Sequence, residues 1–127
     1  MISGIVLTHG TIGKALIKAA KSILGEIDHI HDISTTGHSL ESINTKLKNM
    51  ILSQNWEDGT LIMASLMGGS CWNAGVVIAH QMPNIEVVSG VNLIMLISFL
   101  SKRDRHTLVE LSEIVKQDGI RGISRLS

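Results

Sequence analysis

The chain has 127 residues and a mass of 13.7 kDa, the length of a single domain, and its 44% hydrophobic residues are enough to build a core. Its 11 Lys and Arg balance 11 Asp and Glu, so it lacks the basic excess of proteins that bind nucleic acid. The single cysteine, Cys71, excludes an internal disulfide, and the N-terminal sequence does not match a signal peptide. The sequence therefore predicts one cytoplasmic domain, residues 1–127, without a nucleic-acid partner.

Short apolar segments alternate with helix-period segments along the chain, which is typical of βαβ units and a mostly parallel sheet. Strands are predicted near residues 2–8, 29–33, 60–65 and 85–89. The first helix is predicted to bury a face made of Ile12, Ala15, Leu16, Ala19 and Ile23. The second helix is predicted to bury a face made of Leu40, Ile43, Leu47 and Met50.

Individual residues predict where the helices begin and end. Ser39 is a suitable N-cap for the second helix, and Pro83 ends the third. Trp56 is predicted to pack beneath the turn that enters the third strand. The apolar stretch 91–100 is about half the roughly 20 residues needed to cross a bilayer, so it is predicted to be a buried helix.

The C-terminal residues predict a helix followed by an edge strand. Thr107 and Glu110 have the spacing of a capping box, and Gly119 is typical of a helix end, so the last helix is expected near 107–118. The short glycine-containing segment 120–124 is suited to an edge strand that pairs with a neighbouring subunit.

Two segments suggest a functional site. His9 follows the first predicted strand and precedes a helix, and the 65–70 loop, Ser-Leu-Met-Gly-Gly-Ser, leads from the third strand into another helix. In the common strand order 2-1-3-4, the crevice that binds ligands lies between the carboxyl ends of strands 1 and 3. Amide groups at a helix start bind anions, so His9 and the 65–70 loop predict phosphate chemistry in one crevice.

The residues alone leave the chemistry of this site open. An imidazole in such a crevice can be a general base, a metal ligand or a nucleophile that accepts a phosphoryl group. Gly68 and Gly69 could instead form only a tight turn, with Ser70 only capping a helix. Cys71, at the start of the same helix, is expected to be a partly buried and inert thiol rather than a reactive one.

Three groups of residues resemble one known family. They are Ile5-Val6-Leu7-Thr8-His9-Gly10, then Gly68-Gly69-Ser70 with Asn73-Ala74, and then Val87-Val88-Ser89-Gly90-Val91-Asn92-Leu93 with Met95-Leu96. Their order and spacing are similar to the IIA domain of the mannose-type bacterial sugar phosphotransferase system, over almost all of the chain. The resemblance implies a doubly wound α/β phosphotransferase domain that forms a homodimer by exchanging a C-terminal strand.

The resemblance also implies a reaction and its partners. In this family the histidine after the first strand takes phosphate from the phosphocarrier protein HPr. It passes the phosphate to a IIB domain, which phosphorylates a sugar entering through the membrane components IIC and IID. His9 matches that histidine, and Gly68, Gly69 and Ser70 would offer amides and a hydroxyl to the phosphoryl oxygens. Neither a metal nor an organic cofactor is required for such a transfer.

One position departs from the family pattern. Where the family usually has an aspartate that orients the histidine, this sequence has Ser65. A hydroxyl in this orienting position can hold a tautomer but brings no charge to stabilise an imidazolium. The chain is therefore either a working carrier or a IIA-like regulatory module with impaired transfer. A small hydrolase or a ligand-binding flavodoxin-like domain is a third and weaker alternative, because the sequence lacks the further groups such chemistry needs.

Overall fold

The chain forms an α/β structure, described here from a computed structural model for residues 1–53 and 56–127. The packing expected of the Trp56 side chain lies outside the described residues. The described strands are β1 (Ser3–Thr8), β2 (Ile30–Ser34), β3 (Thr60–Ala64) and β4 (Ile85–Val88). The described α-helices are α1 (Ile12–Leu24), α2 (Leu40–Leu52), α3 (Ser70–Gln81), α4 (Leu93–Lys102) and α5 (Leu108–Arg121).

The strands form a parallel sheet in the order β2-β1-β3-β4. Leu7 of β1 lies between Ile33 of β2 and Ala64 of β3, which fixes the register at the centre of the sheet. The predicted strands and the predicted order are confirmed. Because the chain leaves β1 toward one edge of the sheet and leaves β3 toward the other, the switch point lies between the carboxyl ends of these two strands.

Helices cover both faces of the sheet. Alternate strand residues point to opposite faces, so Ile5 packs in a core layer with α2 and α3, and Val6 packs in a second layer with α1, α4 and α5. The side chains of β3 alternate in the same way, with Ile62 in the first layer and Leu61 in the second. Burial on both faces explains why these strands are continuously apolar rather than alternating.

The buried face of α1 differs from the predicted one. Ile12 and Ile23 are 54% and 60% exposed, whereas Gly13 and Ala20 are buried. The Gly13 amide donates a hydrogen bond to Thr8 Oγ1 at 2.8 Å, and a Cβ at Gly13 would lie 2.9 Å from the same oxygen. This close contact with the end of β1 rotates α1 and leaves Ile12 at the surface.

Local signals placed the ends of the middle helices correctly. Ser39 is the N-cap of α2, since its hydroxyl accepts a hydrogen bond from the Ser42 amide at 3.1 Å. α3 ends before Pro83, as predicted. The buried face of α2 contains Ile43 and Leu47 as expected, but Leu40 in its first turn is half exposed.

The predicted helix in 91–100 is α4, and three of its apolar side chains are buried, namely Met95, Leu96 and Phe99. No helix in the described part of the chain is both long and apolar enough to cross a membrane. The predicted capping box of α5 is also confirmed, because Thr107 and Glu110 exchange both of its hydrogen bonds.

The C-terminal end of α5 corrects two predictions. Gly119 does not end the helix: it is buried within α5, and a Cβ there would lie 2.6 Å from Met95 Cγ of α4. A Cβ at Gly122 would overlap the Ile94 side chain in the same way. These glycines allow α5 to approach α4 closely, and that packing carries the helix on to Arg121.

The edge strand expected at 120–124 is not formed in this chain. Ile120 and Arg121 belong to the last turn of α5, and residues 123–127 have no regular secondary structure. The hydrogen bonds of the helix and its packing on α4 favour the helical conformation for these two residues. Exchange of a C-terminal strand between subunits stays a prediction for the residues beyond the helix.

A buried arginine links the start of β1 and the end of α4 to the segment before β2, and the sequence patterns gave no sign of it. Arg103, just after α4, donates hydrogen bonds to the backbone oxygens of Asp28, His29 and Ile2 at 2.8, 3.2 and 3.4 Å. It also contacts the Asp28 carboxylate at 3.1 Å and lies 5.3 Å from the centre of the Phe99 ring. Burial lowers the pKa of the Arg103 guanidinium, and Asp28 opposes that shift.

Candidate functional site

His9 lies in the turn between β1 and α1, at the carboxyl edge of the sheet. The strand ends at the buried residue Thr8, and His9 is exposed. Gly10 has a φ of +57°, a conformation that favours glycine, and it turns the chain sharply toward α1. The turn therefore places the imidazole at the mouth of the predicted crevice.

The loop after β2 holds this turn in place. The Thr35 amide donates a hydrogen bond to the Thr8 carbonyl at 2.9 Å, which continues the pairing of β1 with β2. The Gly10 amide donates to Thr36 Oγ1 at 2.8 Å. Contacts on both sides of His9 thus fix its backbone.

The His9 ring has a hydroxyl partner that the sequence analysis did not identify. Its Nδ1 lies 2.8 Å from Thr35 Oγ1, and Thr35 is buried, with 6% exposure. The same hydroxyl lies 3.5 Å from the Thr8 carbonyl oxygen and 3.5 Å from Cys71 Sγ. One sequence signal could have indicated Thr35: a hydroxyl residue that directly follows the strand beside β1.

The start of α3 fits an anion. Gly68 has a φ of +82°, the Gly69 amide donates to the Leu66 carbonyl at 3.2 Å, and Gly69 is the N-cap residue. Among the described residues no side chain caps this helix, so the amides of its first turn and its dipole are available to a negatively charged group. The interpretation that Ser70 only caps the helix is wrong, because Ser70 is the first helical residue and makes no capping bond.

Ser65 makes no hydrogen bond to His9. Its Oγ is buried and has no hydrogen-bond partner in the described structure, while its backbone oxygen accepts from the Gly90 amide at 3.1 Å. Because Ala64 pairs with Leu7, Ser65 follows β3 beside the end of β1, as the sequence predicted. The orienting contact expected from Ser65 comes instead from Thr35.

Cys71 joins the start of α3 to the same hydroxyl. It is fully buried in the first core layer, so it is a packing residue rather than an exposed thiol. Its contact with Thr35 places that residue between His9 and the first turn of α3. The structure therefore brings His9, Thr35 and the residues next to Ser70 to one edge of the sheet.

This arrangement defines a class: doubly wound α/β domains with a histidine and an uncapped helix start at the switch point. The family model described as "PTS system fructose IIA component", EIIA-man, matches residues 3–116. The chain belongs to this mannose-type family of IIA components of the phosphotransferase system.

Individual relatives agree with this assignment. The chain is 29% identical to the mannose-specific EIIAB component of Escherichia coli (strain K12) over 98% of its own length, but it spans only 39% of that protein. It is 26% identical to the sorbose-specific EIIA component of Klebsiella pneumoniae, over 85% of this chain and 78% of the relative.

Solved structures share the fold. The EIIA component from Streptococcus agalactiae matches with a TM-score of 0.90 at 22% identity, over 98% of this chain and 97% of that one. The mannose/sorbose-specific IIA subunit from Enterococcus faecalis matches with a TM-score of 0.83 at 23% identity, over 98% and 94% of the two chains. The doubly wound fold expected from the sequence is confirmed.

Proposed function

We propose that residues 1–127 act as one phosphotransfer domain, which accepts a phosphoryl group from HPr on His9 and passes it to a IIB domain. The observation that carries this proposal is the position of His9. Its ring is exposed at the switch point, with Nδ1 held by Thr35 and an uncapped helix start nearby. Nε2 is then the nitrogen that attacks phosphorus.

The reaction exchanges one nitrogen–phosphorus bond for another. The Nε2 lone pair of His9 attacks the phosphorus of the phosphohistidine on HPr, and the electron pair of the broken bond returns to the donor imidazole. The His9 ring gains positive charge as the new bond forms, while Gly68 and the amides of the first turn of α3, beginning at Ser70, stabilise the phosphoryl oxygens. The Gly69 amide, also expected to take part, is bonded to the Leu66 carbonyl instead. Transfer to IIB repeats the exchange in the other direction, so neither a metal nor an organic cofactor is needed.

Exposed apolar side chains near the site suit protein partners. Leu66 and Met67 of the 65–70 loop are 66% and 75% exposed, and Ile12, close to His9 in the chain, is 54% exposed. Apolar residues at the centre of a contact and polar ones at its rim are typical of protein interfaces. HPr and IIB would dock here, and the membrane components IIC and IID would take part only through IIB.

The buried free thiol of Cys71 agrees with a cytoplasmic location.

A labelling experiment tests the proposal directly. The chain is incubated with radiolabelled phosphoenolpyruvate, enzyme I and HPr, and each component is omitted in turn. We expect acid-labile label on the chain only in the complete mixture, and loss of that label when a IIB domain is added. Absence of label in the complete mixture would contradict the carrier function.

Ser65 supports a second candidate, a regulatory module in which transfer is impaired. Thr35 fixes the ring without a charge, and no charged partner is hydrogen-bonded to His9 in the described structure. Such a module would be phosphorylated slowly and would report the phosphorylation state of HPr to another protein. The substitution Ser65→Asp distinguishes the two candidates.

We expect Ser65→Asp to speed phosphoryl transfer by roughly 3- to 30-fold. A carboxylate at the end of β3 would stabilise the positive charge that develops on His9, and bonds to charged groups are stronger than bonds to neutral ones. Single-turnover transfer from phosphorylated HPr measures the effect, with Ser65→Asn as the uncharged control. Equal or slower transfer in Ser65→Asp would show that the serine belongs to a working site.

We further propose a homodimer in which the C-terminal residues are exchanged. β4 is an edge strand in the described sheet, and the apolar side chains of Ile123 and Leu126 are 78% and 95% exposed. Deletion of residues 123–127, which leaves α5 intact, should give monomers in sedimentation experiments, whereas deletion of 119–127 would also cut into the helix. A dimer that persists after the shorter deletion would refute the exchange.

A further inference from the structure

We propose that Thr35 is the positioning residue that holds His9 as the Nδ1–H tautomer, the role that the family resemblance implied for position 65. The inference deepens the proposed function and rests on it for its catalytic meaning. The hydrogen bond itself and the tautomer it selects do not depend on any partner protein, so they can be tested separately.

The surroundings of the Thr35 hydroxyl decide which way its single proton points. The oxygen lies 2.8 Å from His9 Nδ1, and 3.5 Å from both the Thr8 carbonyl oxygen and Cys71 Sγ. The Cys71 thiol can donate to the hydroxyl or accept from it, so it fits either direction. The carbonyl only accepts hydrogen bonds, whereas the hydroxyl can both donate and accept, so the carbonyl sets the direction. Directing the hydroxyl proton toward Thr8 leaves a lone pair of Thr35 facing the ring.

That arrangement places the ring proton on Nδ1. Nδ1–H then donates to Thr35 Oγ1, and Nε2 carries the lone pair that attacks phosphorus. In the opposite arrangement Thr35 would donate to Nδ1, its lone pairs would face the Thr8 carbonyl oxygen, and the proton of His9 would occupy Nε2. A protonated Nε2 has no lone pair for the attack. The first arrangement is therefore favoured by hydrogen bonding and is the reactive one.

Thr35 is held firmly enough to impose this choice. It is buried, its amide is bonded to the Thr8 carbonyl, and its branched side chain has few rotamers. The Ser65 hydroxyl, which the sequence placed in the orienting position, makes no hydrogen bond in the described structure. A neutral group preorganised in this way supplies the orienting half of what a carboxylate does and omits the charge.

Nitrogen-15 NMR of the His9 imidazole tests the assignment in the unphosphorylated protein. In the neutral ring of wild-type His9, we expect a protonated Nδ1 and an unprotonated Nε2. Thr35→Val keeps the shape of the side chain and removes the hydroxyl, so it should shift the population toward the Nε2–H form, which predominates in free histidine. Thr35→Ser should restore the wild-type pattern.

A buried threonine elsewhere supplies the matched control. Thr60 begins β3, far along the strand from Ser65, and its side chain is fully buried without a hydrogen-bond partner in the described structure. Thr60→Val should leave the tautomer of His9 unchanged. Comparison with His9→Gln identifies the His9 resonances.

Transfer kinetics connect the tautomer to the reaction. Thr35→Val should slow single-turnover transfer from phosphorylated HPr by roughly 10- to 100-fold, with most of the rate regained in Thr35→Ser.

Wild-type His9 with its proton on Nε2, or an unchanged tautomer in Thr35→Val, would overturn the assignment. If Thr35→Val fails to fold, Thr35→Ala removes the same hydroxyl and decides the assignment by the same shift toward Nε2–H. If the tautomer shifts as expected but HPr labels none of the proteins, the tautomer assignment is upheld and the proposed carrier function fails.

Discussion

Replacing His9 with alanine should abolish labelling of the chain by phosphorylated HPr without unfolding it. The imidazole is the side chain proposed to accept the phosphoryl group, and no other residue in the crevice can replace it. It is exposed and belongs to neither core layer, and its hydrogen bond to Thr35 is the one this change removes. A single neutral hydrogen bond contributes about 1 kcal/mol, so stability should change little.

Acid-labile label and thermal unfolding of His9→Ala, each compared with wild type, measure the two parts of this prediction. His80 is exposed on the last turns of α3 and its Nδ1 contacts the Val76 carbonyl, so His80→Ala is a suitable control that should keep full labelling. Label retained in His9→Ala would move the phosphorylation site, with His29, His31 and His80 the next residues to test.

Replacing Arg103 with methionine should lower the free energy of unfolding by about 3 kcal/mol. Methionine approximates the length of the side chain but removes the guanidinium donors of the Ile2 and Asp28 backbone oxygens. The His29 oxygen loses one of its donors and keeps the Gly4 amide. Buried acceptors that lose their partners carry the full cost of desolvation. The loss would weaken the contacts between the start of β1, the segment before β2 and the end of α4.

Urea denaturation followed by circular dichroism measures this effect. The nearby residue Arg105 supplies a matched control, because it is exposed and its side chain donates a long hydrogen bond of 3.5 Å to the Ser101 carbonyl. Arg105→Met should change stability by about 0.5 kcal/mol or less. Similar losses in the two variants would mean that the buried hydrogen bonds of Arg103 do not stabilise the fold as argued.

The site illustrates how a family pattern can be met by different residues. Resemblance in three segments identified His9 and the 65–70 loop, and it drew attention to Ser65 as the residue in the place of an aspartate. The hydroxyl that contacts His9 belongs to Thr35, which directly follows β2, the strand on the other side of β1. The ring of His9 is thus held by a hydroxyl without a charge, and Thr35→Val and Ser65→Asp test the contact and the missing charge one at a time.

The sequence by itself determined the features that depend on neighbouring residues. The continuous apolar segments predicted the four strands, because a strand that is buried on both faces has apolar residues in succession. The helix N-caps at Ser39 and Thr107 could be predicted from the sequence, because the amides that they bind lie three residues further along the chain. The sequence also predicted that His9 lies between the end of β1 and the start of α1.

Only the tertiary structure decided which residues meet across the fold. Thr35 is 26 residues from His9 in sequence, and the register of β2 against β1 brings the two together. The rotation of α1 depends on the contact of Gly13 with Thr8, and the continuation of α5 depends on the fit of Gly119 against α4. A local pattern cannot show these contacts, since each is set by how two separate elements pack.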